Sequence, residues 1–113
     1  LLVGYQIDYR IRDQPWERAA VRIERLTTPA EARALVPALE ELIAQEPRSP
    51  ARRAGLALTL FVAGDLPAAC HQRALAHAFA LLPSAADLYA LARADALIPC
   101  APVRPNPEPR SDR

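Results

Sequence analysis

The sequence predicts a mainly α-helical protein of antiparallel helix–turn–helix hairpins, preceded by one short strand or extended arm. Apolar residues recur at helical spacing through most of the chain. Helix-start signals, in which a capping residue is combined with a proline, recur about every 35 residues. Only residues 3–12 show the apolar–polar alternation of a half-buried strand. We therefore divide the chain into an arm at 1–12, a helical domain at 13–98 and a proline-rich, flexible tail at 99–113.

The composition limits the classes of function that fit the chain. Hydrophobic residues make up 51% of the 113 residues, enough for the core of one small domain. The formal net charge is +1, with 14 basic and 13 acidic residues, so no nucleic-acid partner is predicted. No apolar run reaches the ~18 residues of a membrane-spanning helix. Because the chain contains no methionine, we expect an export segment or membrane tether upstream of Leu1, or else an arbitrary boundary.

Residues 3–12 are the only segment with a strand pattern. Their alternating apolar residues are Val3, Tyr5, Ile7, Tyr9 and Ile11. A lone strand leaves its backbone donors and acceptors unpaired. We therefore expect this segment to pair with a second copy of the chain or with a partner protein, through Tyr5, Ile7 and Tyr9. The alternative is an extended arm that lies on the helices.

The first two helices are predicted from their caps and apolar faces. Asp13 can cap a first helix that carries Pro15 in its first turn. Thr28 and Glu31 have the spacing of a capping box at the start of a second helix. The apolar faces of the two helices comprise Trp16, Ala19, Ala20, Ile23 and Leu26, and then Leu35, Val36, Leu39, Leu42 and Ile43. Pro37 lies inside the second helix and predicts a kink, because proline removes a hydrogen bond there.

The stretch LTLFVAGDLPAACHQ predicts a tight turn between a third and a fourth helix. Gly64 can adopt the left-handed conformation that closes the third helix, which starts at Ser49. Asp65 can then cap the fourth helix, which we expect to run to Pro83. A fifth helix opens with SAAD, a second capping box. The apolar faces of these helices comprise Leu56, Ala57, Leu60 and Phe61, then Ala69, Cys70, Leu75, Ala78, Phe79 and Leu82, and finally Leu88, Leu91, Ala92 and Ile98.

The helix starts recur at a regular interval: Pro15 and Pro50 are 35 residues apart, and so are Ser49 and Ser84. A period of this size with two helices per unit is typical of tetratricopeptide arrays. The segment LALTLFVAGDLPAA resembles the central unit of this family. The positions that carry the resemblance are Gly64, Asp65, Ala69, Ala76, Pro83 and Tyr89. The resemblance covers about two and a half units over residues 16–98, and it implies a right-handed stack of hairpins with a concave surface.

No metal, cofactor or catalytic site is predicted. His71 and His77 point about 240° apart around a helix of 3.6 residues per turn. Cys70 and His77 share a face but lie roughly 10 Å apart along the helix, too far for zinc bonds of ~2.0–2.3 Å. With three glycines the chain has no glycine-rich phosphate loop, and the adjacent Glu40 and Glu41 fit a solvated helix face. We therefore expect that the protein is not an enzyme.

The two cysteines, Cys70 and Cys100, allow two interpretations. Cys70 lies in the first turns of the fourth helix, and Cys100 follows the end of the fifth. Because antiparallel neighbours place the start of one helix beside the end of the next, the two sulfurs can approach and form a disulfide. An even cysteine count and an export segment favour a periplasmic or envelope location over the cytoplasm. The alternative is a pair of free thiols in a cytosolic protein, with Cys70 as a small buried residue.

The sequence therefore predicts a module that binds a peptide or protein partner on a helical-repeat surface. By analogy of fold, envelope-assembly and secretion accessory proteins of bacteria have this kind of role. The register of the resemblance places Arg53, Leu56 and Tyr89 near the inner face, and we take these as candidate partner-binding residues. Two alternatives stay open. One is an assembly subunit that dimerises through residues 3–12, and the other is a helical accessory region of a larger enzyme or membrane protein.

Overall fold

The structure is a computed structural model that describes residues 14–101, and these residues are mainly helical. Residues 14–24 are helical and form α1. Four helices follow, namely α2 (Pro29–Gln45), α3 (Pro50–Ala63), α4 (Leu66–Phe79) and α5 (Ala85–Leu97). The predicted strand or arm at 3–12 and the tail from residue 102 onward lie outside the described residues, and both stay predictions.

The starts of α2 to α5 follow the caps predicted from the sequence. The caps are Thr28 with Glu31 for α2, Ser49 for α3, Asp65 for α4, and Ser84 with Asp87 for α5. In each case the capping side chain accepts a hydrogen bond from the backbone N–H three residues later. These bonds satisfy amides that have no partner within their own helix. The predicted helix starts are therefore confirmed.

The turn between α3 and α4 is also as predicted. Gly64 has a φ of 94°, in the left-handed region that glycine adopts without strain. Its N–H donates to the carbonyl of Phe61 at 3.0 Å, and the N–H of Asp65 donates to the carbonyl of Leu60 at 2.9 Å. These two bonds close α3. Asp65 then caps α4, so two residues are enough to reverse the chain.

α4 ends earlier than the sequence predicts. Its last residue is Phe79, and residues 80–84 form a link instead of a further helical turn. Pro83 disfavours helical backbone in the residue before it, but this does not explain an end as early as Phe79. Leu82, which was expected on the apolar face of α4, is 97% exposed, and Leu81 is 85% exposed. These two leucines project from the link and take no part in the core.

α2 is a single helix of 17 residues with Pro37 inside it, on its solvent-exposed side. The exposed position means that water can reach the carbonyl that loses its intrahelical partner. Among the described residues, no helix has both the length and the apolar character needed to cross a membrane.

α3 is the central helix and contacts α1, α2, α4 and α5. α2 runs antiparallel to it, since Arg33 in the first half of α2 donates to the carbonyl of Ala63 at the end of α3. α4 is also antiparallel, since Arg53 near the start of α3 lies over the ring of Phe79 at the end of α4. α5 runs parallel to α3, because Asp87 in its first turn accepts a hydrogen bond from the first turn of α3.

Two apolar clusters lie on either side of α3. The cluster between α3, α4 and α5 comprises Ala54, Ala57, Leu58, Ala69, Ala76, Leu91, Ala94 and Ile98. The cluster that α3 forms with α1 and α2 comprises Ala19, Leu35, Leu39, Leu42, Ile43 and Leu56. The first cluster is rich in alanine, whose small side chain lets neighbouring helices approach closely.

Cys70 and Cys100 are joined by a disulfide, with their Cα atoms 5.7 Å apart. The bond attaches the chain just after α5 to the first turns of α4. Arg73 supports the same junction by donating to the carbonyl of Ile98 at 3.3 Å. Of the two interpretations that the sequence left open, the structure therefore has the disulfide and not the free thiols.

Candidate functional site

An open groove of about 150 Å³ runs along α3, between α1 and α5. α3 forms its floor, and α1 and α5 form its walls. The lining is apolar except for Glu24 and the indole N–H of Trp16 on α1 and the polar groups of Tyr89 and Arg93 on α5. A second hollow of about 180 Å³ continues the groove toward the ends of the three helices, where Phe61, Val62 and Leu97 line it. The two hollows together form one groove.

Nine lining residues occupy three equivalent positions on three parallel helices. Each set is spaced by 35 residues: Trp16, Ala51 and Ala86 at one end, Ala20, Gly55 and Ala90 in the middle, and Ile23, Leu58 and Arg93 at the other end. Positions three and four apart on a helix lie on the same face. The same face of α1, α3 and α5 therefore points into the groove, which is a product of the regular spacing of these helices.

The small residue in the middle of the floor sets how closely α1 packs on α3. A Cβ atom at Gly55 would lie 2.9 Å from Cδ1 of Ile23 and 2.9 Å from Cη2 of Trp16. Both contacts are shorter than carbon atoms tolerate. The absence of a side chain at Gly55 thus allows the indole of Trp16 to rest on α3 and to form one wall of the groove.

Three polar side chains connect the two walls, and we call them the bridge. Glu24 Oε1 lies 3.3 Å from Arg93 Nη1, and the hydroxyl of Tyr89 donates to Glu24 Oε2 at 3.2 Å. The guanidinium of Arg93 also lies over the ring of Tyr89, 5.9 Å from its centroid. All three side chains are partly exposed, so the ion pair adds only about 0–1 kcal/mol to stability. Such a bridge can open for a ligand at small cost.

Asp87 fixes the position of α5 relative to α3. Its Oδ1 accepts a hydrogen bond from the backbone N–H of Ala51 at 3.1 Å, while its Oδ2 accepts from the N–H of Ser84 at 3.0 Å. One carboxylate therefore caps its own helix and also satisfies a free amide at the start of α3. Only the first of these two roles is predicted by the capping-box pattern SAAD.

Of the three inner-face candidates from the sequence, Tyr89 lines the groove, but Arg53 and Leu56 do not. Arg53 faces α4, where its Nη1 donates to the side chain of Gln72 at 3.1 Å. Leu56 is 3% exposed and packs in the cluster that α3 forms with α1 and α2. The structure therefore does not bring these two residues into the groove, because a step of one or two residues rotates a side chain by about 100–200° around a helix.

Sequence reasoning also missed several groove residues. It placed Trp16 only in a packed face and gave no role to Glu24, Gly55 or Arg93. The 35-residue interval could have identified most of the lining. It relates positions inside α1, α3 and α5 to one another in the same way as it relates the starts of these helices. The candidates Tyr5, Ile7 and Tyr9 lie outside residues 14–101.

Another polar cluster lies between α4 and α5. His77 Nε2 lies 2.8 Å from Asp95 Oδ1, and Arg73 Nε lies 3.7 Å from the same oxygen. These contacts join the two helices at an exposed position. Within residues 14–101, no three His, Cys, Asp or Glu side chains are grouped so that they could hold a metal ion.

The chain matches no protein-family model, no curated protein and no solved structure.

Proposed function

We propose that the protein is a non-enzymatic binding module whose groove takes an extended peptide segment of a partner protein. The observation that carries this proposal is the groove itself, a long apolar channel between parallel helices with aromatic residues on both walls. Apolar clefts with a few placed polar groups are the usual form of ligand sites. Here Trp16 and Tyr89 can contact apolar side chains, and the bridge can exchange its ion pair with a charged residue of the peptide.

The dimensions of the groove favour an extended chain over a compact ligand. From Trp16 to Glu24, α1 advances by roughly 12 Å at 1.5 Å per residue. An extended peptide covers that length with about four residues at ~3.3 Å each. Two open hollows in line, of about 150 and 180 Å³, suit successive side chains of such a peptide better than one small molecule.

The regular spacing of the lining supports a fold that resembles tetratricopeptide arrays. In this interpretation α1 with α2 and α3 with α4 form two units, and α5 begins a third. Arrays of this kind present an extended concave surface for binding. The disulfide further favours an oxidising compartment, for which we propose the periplasm or the cell envelope.

The experiment is a selection of binding peptides, followed by a test of where they bind. Random 12-residue peptides displayed on phage are selected on the full chain, and the emission of Trp16, the only tryptophan, reports binding of each synthetic peptide. Ala86 is exposed and lines the groove, whereas Ala74 is exposed on α4 away from it. We expect Ala86→Arg to weaken binding at least tenfold and Ala74→Arg, its matched control, to leave it unchanged.

Two results would count against the proposal. Selected peptides that bind both variants as tightly as the wild type would place the site outside the groove. A selection that yields no peptide able to change Trp16 emission would argue that the groove is not a peptide site at all.

A further inference from the structure

The described chain ends four residues after a residue that lines the groove. Leu97, the last residue of α5, lines the hollow that lies beyond the bridge, and Ala101 follows four residues later. The disulfide holds this end of the chain against the first turns of α4. Residues 102–113 therefore start close to one mouth of the groove.

Residues 102–113 have the sequence PVRPNPEPRSDR, with four prolines. Such a segment has few backbone N–H groups, and the groove offers few free acceptors for them. Among the described residues of the lining, hydrogen-bond acceptors on side chains occur only on Glu24 and Tyr89, and these are already bonded within the bridge, while Arg93 and the indole of Trp16 only donate. Buried N–H groups without an acceptor are costly. Proline has no N–H, and a polyproline II helix keeps its remaining backbone groups solvated. A segment with a full set of amides, such as 3–12, fits less well.

Aromatic residues and charge point to the same occupant. Proline-rich segments dock in grooves lined by aromatic side chains, because their rings pack flat against the aromatic faces. Trp16 and Tyr89 provide such faces on opposite walls, and the hollow between them measures about 150 Å³. The groove has one carboxylate, on Glu24, and Arg104 lies within the proline-rich segment, so an arginine can join or replace the ion pair of the bridge.

Residues 102–113 are also long enough to reach the groove within one molecule. At ~3.1 Å per residue, 12 residues of polyproline II helix span roughly 37 Å. About four residues cover the ~12 Å between Trp16 and Glu24, and the others suffice for the chain to turn back along α5. Attachment to the same molecule gives an effective concentration on the order of millimolar, so even weak docking would fill the site.

From these observations we propose that residues 102–113 of this chain bind in the groove as a polyproline II helix and compete there with partner peptides. The proposal rests on the proposed function, since it assigns an occupant to the same groove. It makes the tail an internal competitor: a partner segment must displace it, and partners rich in proline are favoured.

The test uses the full chain and a variant in which Pro102, Pro105, Pro107 and Pro109 are replaced by Ser. The probes are a synthetic peptide of residues 102–113 and the peptides selected under the proposed function, read by Trp16 emission. We expect the variant to bind both kinds of peptide at least tenfold more tightly than the wild type, because its own tail no longer competes. Adding Ala86→Arg to the variant should abolish this binding. The control that should bind as the wild type is Ala74→Arg, which lies away from the groove. A further variant with Tyr5→Ser and Tyr9→Ser tests the arm as the occupant, since its affinity for the peptides rises only if the arm competes in the groove.

Each contrary outcome identifies what failed. If selected peptides bind the wild type and the proline variant alike, the groove is a peptide site but the tail is not its occupant. If the Tyr5→Ser, Tyr9→Ser variant gains affinity instead, the arm occupies the groove and the tail proposal is wrong. If the difference between the two chains depends on protein concentration, the occupant comes from a second copy, which overturns binding within one molecule. If no probe changes Trp16 emission in any chain, the proposed function fails together with this inference.

Discussion

The side chain of Arg52 is buried where α1, α2 and α3 meet, with 5% of the residue exposed. Its Nη1 donates to the carbonyl of Leu42 at 2.6 Å, its Nη2 lies 3.6 Å from Glu46 Oε2, and its guanidinium lies 5.6 Å from the ring centroid of Trp16. Leu42 is among the last four residues of α2, whose carbonyls have no intrahelical partner. α2 has no basic residue in its own last turn, so Arg52 supplies the cation that the end of a helix favours.

Replacing Arg52 with Ala should therefore destabilise the protein strongly. A hydrogen bond to a charged donor contributes about 1.5–3 kcal/mol, and its loss leaves the carbonyl of Leu42 buried without a partner. The cation–π contact with Trp16 and the packed aliphatic stem contribute about 0.5–2 kcal/mol more. Because these contributions overlap, we expect the free energy of unfolding to fall by about 2–4 kcal/mol. Arg52→Met keeps most of the packing and should lose about half of that.

The assay is urea unfolding followed by circular dichroism at 222 nm and by Trp16 emission. Arg53 provides the matched control, since it is the next residue and also makes hydrogen bonds, to Pro47 and Gln72, and a cation–π contact, with Phe79. It is only partly buried, so water can replace these contacts when they are lost. Its replacement by Ala should cost about 0.5–1.5 kcal/mol. An Arg52→Ala variant within about 0.5 kcal/mol of the wild type, or no less stable than Arg53→Ala, would refute the capping role.

Three further predictions concern the turn, the disulfide and the first capping box. Gly64→Ala should cost about 1 kcal/mol or more through backbone strain at positive φ, and an unchanged thermal melt would contradict this. Reduction of the bond between Cys70 and Cys100 should lower stability by roughly 3–4 kcal/mol in the chain-entropy estimate. Unfolding with and without reductant measures this, and intact mass after alkylation reports the bond. Hydrogen bonds from the backbone and hydroxyl of Thr27 lower the pKa of Glu31 below its ordinary 4.5. The Glu31 carboxylate therefore stabilises α2 above pH 4.5, and this stabilisation is lost as the pH falls through the lowered pKa. We expect the helicity measured by circular dichroism to decrease over that pH range in the wild type, and this decrease should be absent in Glu31→Gln.

The helix starts could be predicted because each depends on chemistry within three or four residues. A Ser, Thr or Asp side chain reaches only the amides that follow it, so its sequence position defines the start of the helix. Gly64 is similar, since its positive φ is a local property. The end of α4 was harder to predict, because Leu81 and Leu82 continue the apolar pattern past Phe79 although neither packs against the protein. An apolar residue in sequence does not imply a buried residue in the fold.

The groove was harder to predict because it depends on which way each helix faces. The spacing of the helices could be predicted from their caps, and α1, α3 and α5 do lie side by side at that spacing. The tertiary contacts that set the rotation of each helix about its own axis could not be predicted from these local patterns. For α3 those contacts come from both sides, since Leu56 packs with the α2 residues and Arg53 bonds to α4. Gly55 lies between those two faces of α3 and therefore forms part of the floor of the groove.

α5 shows most clearly why a local pattern could not define the site. Leu88 was expected in its packed face but is 55% exposed, while the buried face carries Leu91. Apolar residues occur on all sides of α5, so periodicity alone does not select a face. The rotation is fixed instead at its two ends, by the hydrogen bond from Ala51 to Asp87 and by the disulfide at Cys100. The same rotation turns the wall residues of α5 toward α1, so the shape of the groove depends on one carboxylate and one covalent bond that lie outside it.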